Sequence, residues 1–455
     1  MVSRHARCYT TALRETAGLF YCVRGKGEGM SLKIRQVLAG ATLAAVVFVS
    51  GAADCSAESL ANDEPYHTPL AGEPFSTTVL GRKVELARRD RANTLALSLG
   101  GTFYFPTLGS ADALPIAALY WRKENEDYRS RLIFSVFYNE WDGALKTKGR
   151  LEYLAHLENF TSPFPQEEIL NGESVKSTSA VWGYATAWLG LGYRMPVAPF
   201  QSDNDLRLQL FYTGTYLYNN RTSDTGPNVT LPPDTWENGL RLRVRYDGIR
   251  RNIMELPHSG FALGSDIEWA YRSSWGDSNY GPFRFTKSGT QEYTKISGYG
   301  VAALPFPWTS ERNRLIASVY GGFSPNNNLD RYSGFRVGGG PFPNESDDLW
   351  RTPYPGALFN QFTVADYVVG NLEYRRELLF FLYLHLRGTI AWINRDYQRT
   401  DHFRFEQDRG EAFSLGITTG MPWDSSMYLE FSRDFGILRN GRSGSGLMLL
   451  WSKAF

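Results

Sequence analysis

Cysteine is almost missing from this chain of 455 residues, and the little there is sits at one end. Cys8, Cys22 and Cys55 all precede residue 58, so a chain trimmed there has no disulfide framework and no thiolate metal site. An exported protein that avoids cysteine suits an oxidising compartment. Net charge is equally scarce: 48 basic residues against 47 acidic ones leave +1, which gives no footing for nucleic-acid binding. Beyond residue 57, His67, His156, His258, His385 and His402 are scattered without metal-ligand spacing. No apolar run there reaches the roughly 18 residues that a membrane helix needs. A β-barrel escapes that last exclusion, because half of each strand faces a polar lumen.

What the chain does have is aromatic residues, 15% of the total, and a leader-like amino end. Lys33 and Arg35 precede an apolar run from Val37 to Val49, and small residues lead to Cys55-Ser56-Ala57 ahead of Glu58. That order is the pattern of a cleaved export signal. Met30 stands where such a signal would begin. The expected organisation is therefore an over-called start or extension over 1–29, a signal peptide over 30–57, a short periplasmic lead-in over 58–93, and one domain over 94–455.

From Thr94 onward the chain alternates with period two, the mark of strands with two different faces. Leu95, Leu97, Leu99, Phe103 and Phe105 share one parity. Leu206, Leu208, Leu210, Tyr212, Tyr216 and Tyr218 repeat the pattern. Phe261, Leu263, Ile267, Trp269 and Tyr271 oppose Asp266, Glu268 and Arg272. Leu240, Leu242, Val244 and Tyr246 oppose Arg241, Arg243 and Arg245. One Arg exposed to lipid at mid-bilayer costs about 2–4 kcal/mol, so this basic row must face a wet or ion-paired interior. The chain closes on the same alternation, with Phe455, Trp451, Leu449 and Leu447 on one face and Ala454, Ser452, Leu450 and Met448 on the other.

Connection lengths orient the strands. Counting back from Phe455, strands are expected near 446–455, 426–434, 411–421, 380–393 and 362–377. Their connections alternate long (435–445), short (422–425), long (394–410) and short (378–379). Short turns belong on the periplasmic side and long loops outside. A long Gly-, Pro- and Asn-rich stretch from about Ser324 to Gln361 then falls outside. At about 20–25 residues per strand and connection, the domain holds 14 to 18 strands. An even count favours sixteen, with residues 144–180 the least legible region. The predicted fold is all-β, a transmembrane antiparallel barrel with a long external loop folded toward the lumen.

Several motifs carry a family resemblance. Asp247-Gly248-Ile249-Arg250-Arg251, followed by Leu256-Pro257-His258-Ser259-Gly260-Phe261, is similar to a strand ending in Asp-x-Arg and a Pro-x-x-Gly that opens the next strand. Gly334-Phe335-Arg336-Val337-Gly338-Gly339 resembles an Arg-Gly loop tip, and Val369-Gly370-Asn371-Leu372-Glu373-Tyr374-Arg375 a strand with an inward glutamate. In this order they resemble the outer-membrane assembly-factor superfamily, also called the bacterial surface antigen family, which includes the Bam and Tam barrels. The resemblance covers somewhat under half of the chain. It implies a latch in which Arg336, with Gly338 beside it, meets Glu373. Two features depart from the family. Leu386 and Arg387 precede Gly388 where an acidic residue is usual, and residues 58–93 are too few for a periplasmic POTRA module.

The resemblance implies a role in outer-membrane biogenesis or in the insertion or transport of protein or lipid. A porin-like passive pore is the alternative, and an outer-membrane lipid-modifying enzyme a more distant one. For an enzyme, His258-Ser259 is the sole close pair, and adjacent strand residues point to opposite faces. Glu345, Asp347 and Asp348 form a small acidic group typical of a solvated loop. No catalytic, cofactor-binding or metal site is expected. Expected partners are outer-membrane lipid, Bam-type assembly machinery through the carboxy-terminal strand, and a periplasmic partner or client proteins and lipids. A seam between the Thr94–Phe105 strand and the Gly446–Phe455 strand, weakened by Gly100 and Gly101, is a further expectation.

Overall fold

A computed structural model describes residues 66–455 apart from 80, 87–89, 163, 171–172, 202, 281–282, 339–347, 360–361, 396 and 398–408. Residues 1–57, Gly339, Glu345, Asp347 and His402 thus lie outside the described residues. Among the described residues sixteen antiparallel strands close into a barrel. They are β1 (Asn93–Pro106), β2 (Asp112–Glu124), β3 (Tyr128–Ser135), β4 (Tyr138–Lys146), β5 (Leu151–Thr161), β6 (Glu173–Pro196), β7 (Asp205–Arg221) and β8 (Thr235–Asp247). The second half comprises β9 (Pro257–Arg272), β10 (Glu292–Pro305), β11 (Asn313–Phe323), β12 (Asp366–Leu379), β13 (Leu382–Asn394), β14 (Arg409–Met421), β15 (Ser425–Arg439) and β16 (Arg442–Ala454). Closure leaves no unpaired edge, as a barrel in lipid requires, since each unsatisfied amide there costs several kcal/mol.

The period-two rows explain which face is which. Leu208, Leu210 and Tyr212 on β7, Leu263, Ile267 and Trp269 on β9, Phe413, Leu415 and Ile417 on β14, and Leu447 and Leu449 on β16 are all exposed. Soluble monomers do not expose apolar area on this scale. The belt is the lipid-facing surface of a membrane-spanning barrel. The alternate residues turn inward and are buried, among them Ser98, Thr102 and Tyr104 on β1 and Met448, Leu450 and Ser452 on β16.

Connections 125–127, 147–150, 197–204, 248–256, 306–312, 380–381 and 422–424 lie at the rim where the carboxy terminus ends. Connection 324–365 lies at the opposite rim. The region 144–180 contains β5, the start of β6 and a short strand, Gln166–Leu170, that folds back onto β6. One expected loop is corrected. Instead of a long connection over 435–445, β15 runs to Arg439 and β16 begins at Arg442. Gly436 and Gly441 take φ of 137° and 99°, and the β15–β16 register shifts between Asp434 and Arg439. Glycines that read as loop thus carry the hairpin through an irregularity that a Cβ would strain.

Candidate functional site: the lumen and its plug

The described parts of connection 324–365 turn back into the barrel and occupy part of its lumen. Its hairpin pairs Phe335–Val337 with Phe362–Val364. Asp330 accepts from Arg272 Nη1 of β9 at 2.5 Å, with both side chains fully buried. Arg331 donates to the carbonyls of Gln166 and Thr178, at 2.6 and 3.2 Å. Further along, Arg351 Nη2 reaches Glu140 of β4 at 3.0 Å, and the Tyr354 hydroxyl donates to Asp434 of β15 at 2.8 Å. The plug is therefore tied to several parts of the wall. Tyr332 sits edge-on to Trp182, Trp275 and Tyr280, so buried aromatic area adds to these polar ties.

Arg336 lies inside this plug, but it does not meet Glu373. Its guanidinium carbon stands 4.1 Å from the Trp182 ring centre, 5.2 Å from Phe160 and 5.3 Å from Tyr184. Glu373 is already engaged by its own wall: Arg375 Nη2 at 2.6 Å, Arg387 Nη2 at 2.8 Å and His385 Nδ1 at 3.0 Å. Arg387 thus supplies Glu373 with a cation from the adjacent strand. Gly338 has φ of 122° and donates its amide to Thr352 O at 3.2 Å, which fixes the turn behind Arg336.

The basic row of β8 faces the lumen. Arg241 Nη2 and Arg245 Nη1 approach Asp266 of β9 at 2.5 and 2.6 Å, and Arg243 Nε lies 3.6 Å from the same carboxylate. Register brings the two strands together, with Arg243 opposite Asp266 and Arg241 opposite Glu268. Lys295 of β10 stands 3.5 Å from Glu268, as does Arg241. Arg241 also lies over the Trp188 ring at 4.5 Å. These groups line a chamber of about 310 Å³ beneath the plug.

Other polar groups assemble in ways that spacing did not disclose. Glu140, Asp142 and His156 place ligand atoms within 4.8 Å of one another, so His156 is not as isolated as its sequence position suggests. Arg131 bonds both carboxylates and occupies the space between them. His258 faces Glu311 at 3.1 Å and Arg314 at 2.5 Å, while Ser259 pairs across to Arg250 in the ladder. The β4–β5 register that brings His156 opposite Asp142 is the signal that was missing.

At the short-turn rim, residues 66–75 cross between four connections. The Tyr66 hydroxyl and Thr68 Oγ1 both donate to Glu377, the latter at 2.7 Å. His67 Nδ1 lies 2.8 Å from Glu311, and the Arg312 guanidinium covers the Tyr66 ring at 4.0 Å. Pro69 O accepts from Ile253, Ala71 N donates to Arg251 O, and Ala71 O accepts from Gln201. Burial and the adjacent Glu377 carboxylate push the Tyr66 phenol well above its ordinary pKa. Burial pushes the Glu311 carboxyl up, but hydrogen bonds from His67 and His258 outweigh it and hold the group below the usual range. Part of the expected lead-in is thus a strap along this rim, tied to consecutive short connections.

The ladder between β16 and β1 is continuous from Gly444 opposite Pro106 to Ala454 opposite Ala96. Beyond it, Phe455 N donates to Leu95 O at 2.8 Å, so the terminal residue is fastened by its backbone while its ring remains exposed. Trp451 pairs opposite Leu99, and Ser98 bonds Ser452 across the join. A Cβ at Gly100 would lie 2.0 Å from Leu449 O, so glycine there meets a close backbone approach.

No family model and no curated protein matches the sequence. Solved structures do. BamA from Haemophilus ducreyi lacking POTRA domains 1–3 is 10% identical, with 84% of this chain and 75% of that one covered and a TM-score of 0.48. CdiB from Acinetobacter baumannii is 11% identical over 84% of this chain and 65% of that one, with a TM-score of 0.44. The Pseudomonas putida toluene transporter TodX is 11% identical over 80% and 90%, with a TM-score of 0.31.

Proposed function

We propose that this protein is a bacterial outer-membrane barrel of the assembly-factor type, acting in outer-membrane biogenesis by helping to insert or move protein or lipid. The observation that carries this reading is the long external loop that returns into the lumen and is tied there by Arg272–Asp330 and Tyr354–Asp434. The ordered motifs from Tyr246 to Phe455 support it. A passive pore is disfavoured by the same plug. Export through a cleaved amino-terminal signal belongs to this reading, as does recognition of the terminal strand by Bam-type machinery.

Gating would act at the join of β1 and β16. Ser98 and Ser452 face each other there, and the chain after residue 55 has no competing cysteine. Ser98→Cys with Ser452→Cys should form a disulfide that arrests function, with recovery on reduction. Depletion followed by a protein and lipid inventory of the outer membrane tests the role itself. An unchanged inventory, with a large steady conductance in planar bilayers, would replace this reading with a pore.

A further inference from the structure

The chamber beneath the plug holds more positive charge than its own carboxylates balance. On the wall formed by β8, β9 and β10, Arg241, Arg243, Arg245 and Lys295 share two acids, Asp266 and Glu268. Within this ion-paired group two formal positive charges are left over, and over the whole lining ten Lys and Arg side chains face nine carboxylates. Arg243 is the least satisfied of the four. Its Nε is buried without a hydrogen-bond partner, its nearest carboxylate contact is 3.6 Å, and the Trp188 and Phe211 rings flank it at 5.3 and 5.7 Å. From the plug, Arg336 lines the same chamber, and among the described residues no carboxylate lies within 4 Å of it.

An unpaired buried guanidinium is costly, and an uncompensated buried charge destabilises a protein by several kcal/mol. Water alone supplies hydration but no counter-charge. Planar guanidiniums converging from separate elements match an oxyanion with several acceptor atoms. A space of about 310 Å³ is larger than a bare ion needs, given that one water occupies roughly 30 Å³ of liquid. The aromatic walls of Trp188, Phe211 and Tyr299 suit an attached body with apolar or ring surface.

We propose that this chamber binds a phosphate-type oxyanion, as a free phosphate or as a lipid phosphate headgroup, between Arg243, Arg245, Lys295 and Arg336. The cation excess of the group around Asp266 attracts the anion, Arg243 supplies its unused donor, and Arg336 closes over it from the plug. The site makes the plug's seating depend on the occupant.

The test uses the full chain refolded in maltoside micelles, titrated with inorganic phosphate in one arm and a short-chain phosphatidic acid in the other, and read by ³¹P line broadening. Saturable binding is expected. Losing one charge-assisted donor in Arg243→Gln should weaken it about tenfold or more, while Arg243→Lys, which keeps the charge without the planar fork, should weaken it less. Arg409→Gln, at an exposed site away from the chamber, should leave affinity unchanged. Saturation with inorganic phosphate assigns a soluble source, and saturation with the lipid alone assigns a headgroup. Linear broadening in both arms overturns the site. So does a folded Arg243→Gln, shown by its heat-resistant band, that binds as the unaltered chain does. If that variant does not fold, Lys295→Met carries the same expectation.

Discussion

Two charged clusters line the same barrel, and they are balanced differently. Around Glu373 two arginines, Arg375 on the same strand and Arg387 on β13, meet two acids, Glu373 and Glu430, with His385 of β13 beside them. Arg387 continues to Glu430 at 3.5 Å, which spreads the charge further into the wall. Around Asp266 one carboxylate serves Arg241, Arg243 and Arg245 at once, with Glu268 as the nearest relief. The first cluster is contained in the wall. The second opens onto the chamber and the plug. The difference teaches that equal numbers of acids and bases in a sequence do not make each site neutral.

The contrast is broken most sharply by Asp266→Asn. Three guanidiniums then face a single remaining acid, and loss of one partner from a buried ion cluster costs about 3–5 kcal/mol. Urea unfolding in lipid vesicles should show that loss, and added phosphate should recover part of it. Glu373→Gln should cost about 3 kcal/mol by the same argument, without phosphate rescue, because Glu373 does not line the chamber beneath the plug. If phosphate restored both variants equally, the two clusters would not differ as described.

Arg336→Ala should have a smaller effect. It removes a guanidinium held over aromatic rings, a contact worth about 2 kcal/mol when desolvated. The heat-resistant folded fraction on cold gels should fall modestly, and Glu373→Gln should add to the loss independently, since the two residues do not meet. A non-additive double variant would restore the pairing expected from the family resemblance. The smallest effect concerns the strap. Glu311 has a lowered folded-state pKa, so its stabilisation is present above the ordinary carboxylate value of about 4.3 and is lost as pH falls through the folded value. Proteolysis of the strap should quicken in that acid window and become insensitive to it in Glu311→Gln.

Much of the architecture was legible because strand alternation is a property of neighbouring residues. The row Leu240, Leu242 and Val244 against Arg241, Arg243 and Arg245 identifies both faces of β8 without reference to any other strand. The strand count and the long loop's place at the rim opposite the carboxy terminus follow from the same local rule and from turn lengths. The β15–β16 connection was misjudged because Gly436 and Gly441 look like loop residues, while their positive φ serves a tight irregular hairpin. The Arg336–Glu373 pairing was misjudged because the partner of a loop residue depends on the path of the whole loop.

By itself, then, the sequence determined a membrane barrel and its two faces. Those features come from the two-residue repeat of an extended backbone and from the cost of placing charge in lipid. Only the tertiary structure decided which charges share a partner, because that depends on cross-strand register and loop path. It placed Asp266 among three arginines, gave Glu373 to Arg387 and His385, and stacked Arg336 on Trp182. Residues far apart in the chain meet only when the barrel closes.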